Sequence, residues 1–148
     1  MPILDAKTVF NREIEITGAA TVGTVIKGQT VWNGGIAENA SQIVDQEKAG
    51  DAVGQELTVK ATVGGEVAVA GSTAATLTIK LQTSDTTVDG NFEDLLISPA
   101  LKVNGKNPGD ELYSFRIPSG TKRYLRTVVT LGGGTAAGVF NVFATRDL

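Results

Sequence analysis

The chain contains no cysteine and no histidine. Without cysteine it forms no disulfide and offers neither a thiol nucleophile nor a thiolate metal site. Without histidine it lacks the commonest general base, the commonest metal ligand and the side chain that titrates near neutrality. Aromatic residues are scarce: one Trp, two Tyr and five Phe among 148 residues, widely separated. That is a poor basis for the stacking platform with which a β-sandwich holds sugars. Basic residues do not outnumber acidic ones, since 13 Lys and Arg stand against 16 Asp and Glu. Binding nucleic acid by counterion release favours the opposite balance, so no nucleic-acid partner is expected. No apolar run approaches the roughly 20 residues that span a bilayer, so no membrane partner is expected either. The opening Met1-Pro2-Ile3-Leu4-Asp5-Ala6-Lys7 lacks the basic-then-apolar pattern of a secretory leader, which implies synthesis in the cytoplasm.

What the chain does have is glycine, 18 residues of it, with abundant Thr, Val and Ile. β-Branched side chains suit a pleated, half-buried surface, and glycine suits tight turns. Alternation with period 2 is clearest where Leu77, Ile79 and Leu81 interleave with Thr76, Thr78, Lys80 and Gln82. Leu57, Val59, Ala61 and Val63 alternate with Thr58, Lys60 and Thr62 in the same way, as do Tyr113, Phe115 and Ile117 with Ser114 and Arg116. Leu125, Thr127, Val129 and Leu131 alternate with Tyr124, Arg126, Val128 and Thr130, although Val128 blurs the polar face. A last strand is expected over 138–144. Asp89-Gly90-Asn91, Asn104-Gly105, Pro118-Ser119-Gly120 and Gly132-Gly133-Gly134 punctuate these runs at the spacing of a sandwich or barrel. Residues 1–40 are less regular and read as an N-terminal arm or as edge strands. Ile14, Ile16, 22–26 and Val31-Trp32 suit short strands, and Trp32 suits a core or interface anchor. The run 34–48 is the one place where Ile36, Ala40, Ile43 and Val44 sit near helical spacing.

Motifs for chemistry are weak. The carboxylate pairs Glu13/Glu15, Asp45/Glu47, Glu93/Asp94 and Asp110/Glu111 could act as acid and base only if folding spaced them correctly, and otherwise read as solvated charge. The run from Asp85 to Gly90 has Gly at the sixth position of a calcium loop, but its twelfth position is Leu96 and no helices flank it, so an EF-hand is rejected. Gly132-Gly133-Gly134 lacks the Lys-Ser/Thr and helix of a phosphate loop. Asn39-Ala40-Ser41 matches a glycosylation acceptor, which has no meaning for a chain made in the cytoplasm. No serine has a histidine to activate it. Lys122, Arg123 and Arg126, with Tyr124 between them and Arg116 on the preceding strand, form the one basic cluster. Such side chains can face solvent, bind a protein or stack on bases.

One pair of segments stands out: Leu81-Gln82-Thr83-Ser84-Asp85, and the run from Ile117-Pro118-Ser119-Gly120 through Thr121-Lys122 to Arg123-Tyr124-Leu125-Arg126. They lie in order with Ala49-Gly50-Asp51-Ala52-Val53-Gly54, Leu57-Thr58-Val59, Ser98-Pro99-Ala100 and Thr135-Ala136-Ala137-Gly138. Over about 43–144 this arrangement resembles the jelly-roll cement, or decoration, proteins that form trimers on tailed-phage capsids. The chain departs from that family in its longer first 40 residues, its expanded 64–74 loop and Thr127, where a bulky apolar residue is typical.

The resemblance implies an all-β jelly-roll sandwich of about eight antiparallel strands with an irregular N-terminal extension, in one domain over 1–148 whose main sandwich covers 43–148. It implies a structural virion protein rather than an enzyme, made in the host cytoplasm and bound to the outer capsid surface, with itself (as a homotrimer) and the major capsid protein as partners. It implies no catalytic residue, metal or cofactor. From their Arg and aromatic character on neighbouring strands, Phe115, Arg116, Arg123, Tyr124 and Arg126 are the expected interface residues. The rival readings are a carbohydrate- or receptor-binding sandwich of a virion, a carboxylate-dependent hydrolase, and a neck or tail protein of the same fold.

Overall fold

The computed structural model describes residues 9–16, 23–28, 40–45, 57–117 and 120–146. Among the described residues twelve strands follow one another: β1 (Val9–Ile16), β2 (Val25–Lys27), β3 (Ala40–Ser41), β4 (Val44–Asp45), β5 (Leu57–Val63), β6 (Ala70–Gly71), β7 (Thr76–Ser84), β8 (Glu93–Ile97), β9 (Leu101–Lys102), β10 (Glu111–Arg116), β11 (Tyr124–Gly132) and β12 (Ala136–Arg146). A short 3₁₀ turn, Asp89–Asn91, lies between β7 and β8.

The strands form two antiparallel sheets. The first runs β10-β5-β12-β1-β3, with β6 paired to the start of β12. The second runs β2-β11-β7-β8, with β4 beside β11 and β9 beside β7. The eight longer strands therefore divide four to a sheet in the orders β1-β12-β5-β10 and β2-β11-β7-β8, which is the connectivity of a jelly roll. The expected all-β jelly roll is the fold.

Alternation in the sequence becomes burial in the structure. Leu77, Ile79 and Leu81 of β7 and Leu125, Val129 and Leu131 of β11 turn inward from the second sheet. They meet Phe10 and Ile16 of β1, Val59, Ala61 and Val63 of β5, and Phe140, Val142 and Ala144 of β12. Within this core Leu81 and Leu125 have no solvent exposure. Ser98 keeps the ladder intact where β8 gives way to β9. Its backbone N–H donates to the Ile79 carbonyl at 2.8 Å, and its hydroxyl oxygen accepts the Ile79 N–H at 2.9 Å. The side chain thus supplies an acceptor beside Pro99, a residue that cannot take part in a regular ladder as a donor.

Two expectations need correction. The sandwich begins before residue 43, because β1 lies between β12 and β3 and buries Phe10, Ile14 and Ile16, while β2 pairs with β11. Residues 1–8, 17–22 and 29–39, with Trp32 and most of the expected arm, lie outside the described residues. The helical reading of 34–48 also fails over the described part, 40–45. Ala40–Ser41 pairs with β1 in one sheet, and Val44–Asp45 pairs with β11 in the other. Between them Gln42 and Ile43 are buried as the chain crosses the sandwich. Consecutive buried residues in a crossing segment mimic helical spacing without a helix.

Gly133 makes the β11–β12 turn possible. It has φ +71°, and a Cβ there would overlap the Ala74 carbonyl oxygen. Both the left-handed backbone and the close approach require glycine. Gly28, after β2, is restricted by space alone, since a Cβ would overlap the Gln42 backbone.

Candidate functional site

The two signature segments are partners. β7 and β11 pair along their whole lengths, with Gln82 opposite Arg126, Thr83 opposite Leu125 and Ser84 opposite Tyr124. Cross-strand neighbours on one face of an antiparallel pair are close enough for direct side-chain contact. The segments conspicuous in the sequence therefore meet at one end of the second sheet.

Their polar groups are used inside the protein. Thr83 is buried; its hydroxyl donates to the Tyr124 carbonyl at 3.0 Å and accepts the Lys122 N–H at 2.7 Å, tying the β10–β11 connection to β7. The Ser84 hydroxyl accepts the Thr86 N–H at 3.0 Å and starts the turn that leaves β7. Gln82 joins the two flanking strands: its Oε1 accepts Arg126 Nε–H at 2.9 Å and its Nε2 donates to Asp94 Oδ1 of β8 at 2.8 Å.

Arg126 sits on the outer face of the sheet, yet its side chain is only 3% exposed. Nη1 donates to Asp89 Oδ1 at 2.7 Å and to the Gly28 carbonyl at 3.1 Å, and Nη2 reaches the Asp89 carbonyl at 3.4 Å. The guanidinium lies 4.0 Å from the centre of the Phe92 ring, within cation–π range. Lys27 of β2 adds a second cation at 3.0 Å from the Asp89 carboxylate. The β7–β8 connection thus folds over the sheet and covers Arg126. Asp89 is thus paired with two cations. Arg126, and then Lys27, hold the Asp89 carboxyl below its ordinary value. Hydrogen bonds and ion pairs to the charged form have this effect.

The other basic residues are also engaged. Arg123 forks onto Asp45 of β4, with Nε 2.9 Å from Oδ1 and Nη2 3.1 Å from Oδ2, and its guanidinium lies 5.0 Å from the Tyr124 ring centre. This bidentate geometry fits a carboxylate well, and it identifies Asp45 as a structural partner rather than a solvated charge. Lys122 Nζ lies 2.6 Å from Glu93 and 4.0 Å from Asp85. The Glu93 carboxylate raises the Lys122 ammonium above its ordinary value.

The five expected interface residues do not form one patch by strand adjacency. Phe115 and Arg116 lie on β10, an edge of the first sheet, whereas Tyr124 and Arg126 are on β11 of the second and Arg123 just precedes it. Phe115, opposite Val59, turns toward the core and is half-buried, 5.8 Å from Tyr113. Arg116, opposite Thr58, is exposed on the outer face. Arg126 is buried in its own domain. Arg116, Arg123 and Tyr124 retain exposed or half-buried surface.

A polar pair inside the sandwich was not legible in the sequence. Asn11 of β1, 1% exposed, donates through Nδ2 to the Thr127 hydroxyl at 3.1 Å, across the two sheets. The register of β1 on β12 shifts on either side of Asn11. That irregularity lets an asparagine turn inward beside Phe10. Thr127, buried on β11, is its partner from the second sheet. The 64–74 loop is similarly braced: Val69 is buried, its N–H donates to the Lys106 carbonyl at 2.8 Å, and its own carbonyl accepts the Gly105 N–H at 2.9 Å.

Among the described residues, no group of three His, Cys, Asp or Glu side chains is placed to hold a metal ion, and no helix is long and apolar enough to cross a membrane. The fold and this braced face define an all-β jelly-roll protein whose most conspicuous residues fix its own loops. Its family follows from comparison: the Bbp16 family model matches residues 25–144, from β2 into β12, and the chain belongs to the Bbp16 family. No curated protein matches the chain.

Proposed function

We propose that this protein is a structural virion component that binds the outside of a tailed-phage capsid as a homotrimer, contacts the major capsid protein and stabilises the shell. It is made in the host cytoplasm and reaches its place by assembly, without a catalytic step. The observation that carries this reading is the in-register meeting of Gln82, Thr83 and Ser84 with Tyr124, Leu125 and Arg126. These segments carry the resemblance to cement proteins, and their polar groups hold loops in place. A protein that works by shape-matched burial gains from a preset surface, because less ordering is needed on binding. A closed trimer would repeat one pair of patches without leaving an open end. Arg116, Arg123 and Tyr124 are the contact residues proposed from the original five. Phe115 contributes from the β10 edge, and Arg126 contributes only by supporting the loop above it.

Binding the assembled shell in preference to its free subunits stabilises it by linkage. Adding the protein to undecorated capsids of its own phage should therefore raise the temperature at which the shells open. An Arg116→Ala, Arg123→Ala double variant that folds normally should give a smaller rise. Shells that open at the same temperature with and without saturating protein would contradict the proposal. A glycan-array signal together with that result would favour the carbohydrate- or receptor-binding alternative.

A further inference from the structure

Arg126 is the one charged residue among those described that is buried. What covers it is unusual: residues 85–91 of the β7–β8 connection are all exposed, and Phe92 is only half-buried. The connection is therefore not anchored by an apolar side chain sunk into the core. Within itself it is held by small polar bonds, from Thr86 N–H to the Ser84 hydroxyl at 3.0 Å and from Asn91 Nδ2 to the Thr86 hydroxyl at 2.9 Å. Its ties to the sheet are the Asp89 carboxylate on Arg126 and Lys27, a long bond from Arg126 Nη2 to the Asp89 carbonyl, and the Phe92 ring against the guanidinium.

Among the described residues, the charges around Asp89 are these. From β11 it faces Arg126, and from β2 it faces Lys27. On β7, Gln82 is neutral and Lys80 pairs with Asp94 of β8 at 3.8 Å. Glu93 of β8 and Asp85 of the connection face Lys122. Among the described residues, Asp89 is therefore the only carboxylate paired with Arg126.

We propose that the β7–β8 connection is an acid-released strap: protonation of Asp89 frees it from Arg126 and Lys27 and uncovers Arg126, with Gln82 and Lys27 beside it, on the second sheet. With Asp89 neutral, the buried guanidinium loses its counter-charge, and leaving a buried charge without its partner is strongly unfavourable. Opening the strap hydrates Arg126 at little apolar cost, because the strap buries almost nothing of its own. The jelly-roll core stays closed beneath it, so this is a local opening. Since the carboxyl is already held low by its cations, the strap stays closed at neutral pH and opens only in acid.

Hydrogen exchange read by mass spectrometry tests this directly. At neutral pH, Asp89→Asn should speed exchange in the peptide spanning 85–92 by about tenfold, while β5 and β12 peptides keep their protection. Asp85→Asn, which removes a neighbouring strap carboxylate, should leave that peptide within about twofold of the parent. The unmodified protein, taken stepwise into acid and corrected for intrinsic rates, should come to reproduce the Asp89→Asn pattern. Strap exchange unchanged by Asp89→Asn, or raised equally by Asp85→Asn, would overturn the proposal. So would loss of β5 and β12 protection in step with the strap, which would mean global unfolding.

Discussion

Replacing Arg126 by Met keeps most of the side-chain stem and removes the guanidinium. The guanidinium makes three short hydrogen bonds, to Gln82, Asp89 and the Gly28 carbonyl, and lies against Phe92. Hydrogen bonds to charged groups contribute about 1.5–3 kcal/mol each, so simple addition would exceed 4 kcal/mol. The sum overstates the loss, because burying the guanidinium is itself unfavourable and Met recovers part of the packing. A net loss of about 3 kcal/mol remains, roughly 9 °C in Tm for a domain of this length. Arg123→Met is the matched control. It removes an equally well-formed fork to Asp45, but from a side chain that is 45% exposed. Exposed ion pairs contribute about 0.2–1 kcal/mol. Urea unfolding of the two variants beside the parent measures both losses on one scale. An Arg126→Met loss under about 1 kcal/mol, or one equal to that of Arg123→Met, would refute the claim that Arg126 is a structural brace.

Other perturbations have equally definite outcomes. Asn11→Leu and Thr127→Val should each lower stability by about 1–3 kcal/mol, because each leaves a buried polar partner unpaired. The double variant should lose less than their sum in the same urea measurement. Gly133→Ala should cost about 2 kcal/mol or more in thermal unfolding, since it meets both a left-handed backbone and the Ala74 carbonyl. The two shifted groups act at opposite ends of the pH range. Asp89 contributes stability that is full above its unfolded value of 3.8 and is lost as pH falls through its lower folded value. Lys122 contributes stability that is full below 10.5 and is lost as pH rises through its higher folded value. Thermal unfolding across pH should show Asp89→Asn flattening the acid limb and Lys122→Met flattening the alkaline limb.

The strands that could be read in advance are those with one wet face. β5 and β7 show their alternation openly, because Thr58, Lys60, Thr62, Thr78 and Lys80 remain partly solvated opposite buried Val, Ala, Leu and Ile. β11 was legible as a strand but misleading as a surface. Arg126 lies on its polar face, and only the distant Asp89 and Phe92 reveal that this face is covered. Strand periodicity is local, whereas burial of Arg126 depends on a loop about 37 residues away in sequence. The start of the chain was hidden for two further reasons. Register shifts around Asn11 break the period of β1, and the 40–45 segment is buried while it changes sheets, so its spacing imitates a helix. The pairing of the two signature segments needed the register of β7 on β11, which neither segment contains by itself.

Co-sedimentation of the purified protein with undecorated capsids of its own phage tests the proposed role most directly. The proposed cement role predicts saturable binding to the outside of the shell, with the bound and free protein at about 46 kDa, three times the 15.3 kDa of one chain. Protein that stays in the supernatant at all concentrations, while intact capsids pellet without it, would contradict that role.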